Sequence, residues 1–176
     1  MAAFQSVVPE VTVKIVARLT PGTDLFEGIR EICRHHEVEC GAIDTALGSL
    51  TSATVVCISP DESSPSGASY REPLNVKGPL ELVSACGTIG TEGESGELSI
   101  HLHGTVALDE AKAYFGHFVD DGRNRVLATV EIVITKFIGM RWIRGLDEET
   151  GFPLFKPEPH NRSGEGGGDR SRLKRA

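Results

Sequence analysis

Leu98-Ser-Ile-His-Leu-His-Gly-Thr-Val106 alternates apolar and polar residues over most of its length, the signature of a half-buried strand. Leu98, Ile100, Leu102 and Val106 fall on one face, and His101 and His103 on the other. Two imidazoles at i and i+2 stand side by side, close enough to share one cation if a third ligand joins them. His117 is the candidate for that third ligand.

Working outward, most of the chain reads as further strands. Val11–Leu19 is rich in β-branched residues and predicts a first strand, ended by Pro21-Gly22. Asp24-Leu-Phe-Glu27 has the form of a capping box, and Leu25, Ile29, Ile32 and Cys33 follow at helical spacing, predicting a helix to about His36. His35 and His36 would then sit at its C-terminus, where the helix dipole favours them without ligation. Ala42–Ala46 and Ala53–Ile58 read as two strands around Leu47-Gly-Ser-Leu50, and Asp61–Ser69 as a Ser- and Pro-rich loop. Pro79–Ile89 predicts another strand, Gly90–Gly96 a polar turn, and Asp109–Phe115 a short helical or turn connection. Arg125–Phe137 is the longest β-prone run and predicts an interior strand.

This order predicts an α+β fold, a mostly antiparallel sheet with one main helix packed on it. Residues 1–10 form an N-terminal extension, 11–145 the domain, and 146–176 a C-terminal extension expected to be disordered from about Pro157. Neither a dinucleotide-binding nor a P-loop glycine pattern occurs between a strand and a helix.

The 176 residues suit one domain with its own core. No apolar run approaches the ~20 residues needed to span a bilayer, and the N-terminus lacks the pattern of a secretory signal. Cys33, Cys40, Cys57 and Cys86 are scattered without a C-x-x-C pair, which suggests buried free thiols in a reducing compartment and a cytoplasmic protein with no membrane partner. The net charge of −7 is unevenly spread: from Arg162 onward five basic side chains oppose two acidic ones, about +3, leaving about −10 for the rest. An acidic body disfavours duplex DNA, while the basic tail leaves weak nucleic-acid contact open.

Arg18-Leu-Thr-Pro-Gly22, Ala46-Leu-Gly-Ser-Leu50, Gly78-Pro-Leu-Glu-Leu-Val-Ser84, Gly87-Thr-Ile89, His101-Leu-His103, Gly116-His117 and Thr129-Val-Glu-Ile-Val-Ile134 occur in an order that resembles the plants-and-prokaryotes-conserved (PPC) domain, a family also described as PD1-like and DNA-binding. The resemblance implies an α+β domain that assembles as a homotrimer. It also implies a divalent metal, zinc above all, on His101, His103 and His117, and a family position at Glu131. Phe115 stands where the pattern has glycine, which predicts a narrowed approach to the site beside His117. No Arg-Gly-Arg-Pro core of an AT-hook is present.

Three neutral imidazoles are the ligand set of an open zinc site, although copper, iron and nickel also accept them. Catalysis would need a further acid or base. Glu131 is the in-sheet carboxylate to nominate, with Glu81 as an alternative; Asp120 and Asp121 fall on a turn. Ser49 lacks the surroundings of a nucleophile elbow. The favoured reading is a trimeric, non-enzymatic binding or regulatory module with a three-histidine metal site and room for a small-molecule ligand. The alternatives are a DNA-associated transcriptional regulator and a zinc-dependent hydrolase or lyase.

Overall fold

A computed structural model of the chain describes residues 4–160. β1 (Val11–Leu19) leads into the single helix α1 (Leu25–His35), and then β2 (Gly41–Val56). The small hairpin β3 (Ile58–Pro60) and β4 (Ala68–Tyr70) follows, and then the long strands β5 (Leu74–Glu92) and β6 (Leu98–Asp109). β7 (Lys112–Phe118), β8 (Arg125–Ile138), β9 (Met140–Leu146) and β10 (Pro153–Pro159) complete the order. The fold is dominated by strands, with one short helix, so the helix is a smaller part of it than the α+β reading implied.

One sheet runs β1-β8-β2-β7-β6-β5-β9-β10, and β2 also pairs with β5, so β2, β7, β6 and β5 close on themselves. These pairings are antiparallel except β5 with β9. β8 lies between β1 and β2, the interior position that its run of β-branched residues predicts. Ile100, Leu102 and Val106 of β6 join Leu50, Leu80, Leu82, Phe118, Ile132 and Ile134 in one buried core. α1 closes that core with Leu25, Phe26, Ile29 and Cys33, all at most 1% exposed.

Asp24 caps α1 as its sequence predicts, accepting from the backbone N–H groups of Phe26 at 3.0 Å and Glu27 at 3.3 Å. Its second carboxylate oxygen accepts from the Asn124 N–H at 3.1 Å, so the cap also ties the helix to the loop before β8. Asn124, fully buried, donates to the Val119 carbonyl and accepts from the Thr54 N–H. Glu27 does not complete the capping box; it pairs with Arg30 and Arg34 along the helix.

Three expectations change. Leu47-Gly-Ser-Leu50 does not separate two strands: β2 runs straight through it, with register shifts on both sides. Gly48 makes this possible, because at φ +152° a Cβ would lie 2.1 Å from the Thr129 carbonyl oxygen. Asp109–Phe115, expected as a short helical or turn connection, is a turn only at its start, the tip of the β6–β7 hairpin; from Lys112 it is most of β7, where Tyr114 packs on the core and Phe118 joins it. Cys33 and Cys40 are buried, whereas Cys57 and Cys86 are exposed. The chain from Met140 to Pro159 forms the β9–β10 hairpin; residues 161–176, on which the expected disorder and the basic tail fall, lie outside the described residues.

Replacing Asp24 with alanine removes the acceptor for three backbone N–H groups, two of them at the helix start. Asp24→Ala is expected to lower stability by about 2 kcal/mol, the upper end for an N-cap, read as a lower urea midpoint. Asp24→Asn, which keeps one carbonyl oxygen, should recover part of that loss.

Candidate metal centre

The site begins with the strand period. Ile100 and Leu102 are pulled into the core at 7% and 0% exposure, which turns His101 and His103 to the other face of β6. β7 returns antiparallel, and its register sets His117 directly opposite His103. Side chains at opposed positions share a face, so three histidines meet from two neighbouring strands. Ring centroids are 4.8 Å apart for His101–His103 and His101–His117, and 5.3 Å for His103–His117. One ring nitrogen from each lies within 4.8 Å of the other two.

These nitrogens fit a metal. Nε2 of His101 and Nδ1 of His117 are buried and find no hydrogen-bond partner, an unfavourable state for a polar atom removed from water. A tetrahedral centre with ~2.0–2.1 Å bonds brings its nitrogens to roughly 3.4 Å of one another, a small contraction of the observed cluster. Burial holds the rings in the neutral form that ligation requires. Desolvation is the largest cause for His101, followed by His103 and Arg144, and pushes its pKa down to about 4. His117 is pushed down to about 4 by desolvation first, then by His101, His103 and Arg144. His103, more exposed at the mouth, is lowered by desolvation.

Glu131 is not brought to the cluster. It is exposed on β8, accepts from the Thr129 hydroxyl at 3.2 Å, and lies in register with Arg18 and Leu47. From β8 to β6 the sheet takes three strand-to-strand steps through β2 and β5. The other candidates also have structural surroundings. Ser49 Oγ accepts from the Ala128 N–H, Asp120 pairs with Arg30 and Asp121 with Arg123, and Glu81 is an exposed residue of β5. His35 ends α1 and His36 is its C-cap, both away from the cluster.

The ring against His117 belongs to Tyr70 of β4, at a centroid distance of 5.4 Å, and Phe152 packs edge-on to Tyr70 at 5.5 Å. Phe115 is instead 68% exposed and lines a cavity of about 310 Å³ with Val56, Cys57 and Tyr114. Arg144 of β9 lies on the histidine side, donating from Nη1 to Ser99 Oγ at 3.2 Å and to Glu92 Oε1 at 3.4 Å. No sequence signal pointed to Tyr70, just past the expected Asp61–Ser69 loop, to Arg144, at the end of the expected domain, or to Phe152, in the expected C-terminal extension.

A model of the Plants and Prokaryotes Conserved (PCC) domain matches residues 8–138, and the chain belongs to that family. It is 27% identical over 135 residues to the bifunctional protein GlmU of Synechococcus sp. (strain JA-3-3Ab), covering 77% of this chain and 19% of GlmU. The chain thus spans about a fifth of the length of that curated relative. In fold it is similar to a metal-containing protein of Archaeoglobus fulgidus, with a TM-score of 0.72 and 23% identity, covering 86% of this chain and 99% of that one. It is also similar to a plant- and prokaryote-conserved protein of Pyrococcus horikoshii, with a TM-score of 0.68 and 20% identity, covering 85% and 97% of the two chains. Among the described residues no helix is long and apolar enough to cross a membrane.

The lowered histidine pKa values set a pH dependence. Between about pH 6.5 and 4 the unfolded chain takes up protons that folded His101 and His117 refuse, so stability falls as pH drops through this window and this contribution levels off below it. Urea unfolding of the metal-free protein should show that decline. A His101→Phe/His117→Phe variant should give a flatter profile over the same window.

Proposed function

We propose that this protein is a non-enzymatic, trimeric binding module that holds one divalent metal, zinc by preference, on His101, His103 and His117. The observation that carries this reading is the pair of buried imidazole nitrogens, on His101 and His117, that lack any partner in a cluster of three neutral rings. Such a site, with three protein nitrogens and an open position, takes an exchangeable small ligand. A metal-containing protein among the structural neighbours supports the same reading.

Assembly has a physical motive at the open edge of the sheet. β1 pairs on one side only, with β8, and exposes Val11, Val13 and Val16 at 51%, 44% and 79%. An apolar edge strand of this kind is stabilised by covering it.

Elemental analysis of purified protein should find about one zinc per chain, and a His101→Ala/His103→Ala/His117→Ala variant should hold less than a tenth of that. Equal metal in both proteins removes the site. Light scattering should return three times the chain mass of 18.9 kDa, and Val16→Glu should shift the population toward monomer. A wild type that is monomeric at micromolar concentration excludes the trimer.

A further inference from the structure

The β9–β10 hairpin lies beyond residue 138, where the family match ends, and it supplies groups to the histidine face that the matched segment does not hold. Its closeness follows from Gly90 of β5. A Cβ there would lie 2.4 Å from the Trp142 carbonyl oxygen and 2.7 Å from the Phe155 ring, so only glycine lets the hairpin seat. From β9, Arg144 reaches over β5 to Ser99 of β6. Ser99 and His101 are two residues apart on one face of one strand, about 7 Å. Arg144, bound to Ser99, is therefore a neighbour of the metal ligands.

The guanidinium is only partly used. Nη1 donates to Ser99 and Glu92, and the group lies 5.8 Å from the Phe155 ring centroid, which fixes its place. Nε, however, is buried with no acceptor. A buried donor on a cation is costly to leave unpaired, and a carboxylate is the acceptor that suits it best. Glu92 is already shared with the Ser99 hydroxyl at 2.6 Å.

We propose that the open position of the metal centre takes a small carboxylate ligand, one oxygen toward the metal and the other accepting from Arg144 Nε. This rests on the three-histidine metal reading above. Charge supports it: three neutral imidazoles leave a divalent cation uncompensated, and Arg144 adds to the positive field. The donor count favours a carboxylate over phosphate, because one free N–H serves a planar two-oxygen group but leaves a phosphate's further oxygens unpaired. Tyr70, tilted against His117 and backed edge-on by Phe152, gives the remainder of such a ligand an aromatic wall.

The test uses the full chain loaded with cobalt(II), whose visible band reports on its ligands, titrated with acetate and separately with inorganic phosphate. Acetate should shift the band at one equivalent per metal and bind more tightly than phosphate. Arg144→Ala should keep the metal stoichiometry but bind acetate about ten- to a hundredfold more weakly, the loss expected for one charge-assisted hydrogen bond. Arg144→Lys keeps the charge without Nε and should recover only part of that loss. Equal acetate affinity in wild type and Arg144→Ala, full recovery by lysine, or tighter binding of phosphate would overturn the carboxylate assignment while the metal reading stands. A wild type that takes up no metal overturns both.

Discussion

Burial of Ile100, Leu102 and Val106 is the constraint on which the site depends. A strand has two faces, so committing one to the core commits the other to a shared outer surface. That leaves His101 and His103 no choice of side, and the backbone pairing of β6 with β7 then carries His117 to the place opposite His103. No side-chain interaction is needed to assemble the three imidazoles. The same pairings place Cys86 of β5 opposite His103, and one residue in three strands is thereby held in a single row. A one-residue slip of β7 would move His117 to the core face and break the cluster.

The cluster is held in tension by its own environment. Desolvation and mutual proximity disfavour the charged imidazoles, so the rings stay neutral, yet two of their nitrogens are left without partners. A cation resolves both conditions at once, because it needs neutral ligands and occupies the lone pairs that burial has stranded. The surrounding elements shape access to that position. β3–β4 contributes Tyr70, and the turn before β10 contributes Phe152; the two hairpins also approach at Pro65, which a Cβ on Gly151 would meet at 3.1 Å. Arg144 completes this outer layer from β9.

Local patterns carried much of the fold. The bounds of β1 match the β-branched run Val11–Leu19, and α1 begins beside its acidic cap and ends at His35. Both are decided within a few residues, by alternation in one case and capping in the other. The errors lie where local chemistry is ambiguous. Leu47-Gly-Ser-Leu50 looks like a turn, but its glycine serves a bulge whose tight approach to Thr129 arises from a strand more than 80 residues away. Pro153–Pro159 pairs as an outer strand, where Pro157 and its neighbours need fewer backbone partners.

The sequence by itself determined that His101 and His103 share a face, that His117 is available to them, and that one capped helix accompanies a sheet. These follow from the period of a strand and from a cap, which act over a handful of residues. Only the tertiary structure decided that Glu131 stays on β8, three strand steps from β6, and that Tyr70, Arg144 and Phe152 surround the histidines. Those placements depend on which strands pair and on how closely a hairpin can seat over Gly90. Strand order is set by burying the whole core at once, so no short stretch of the chain contains it.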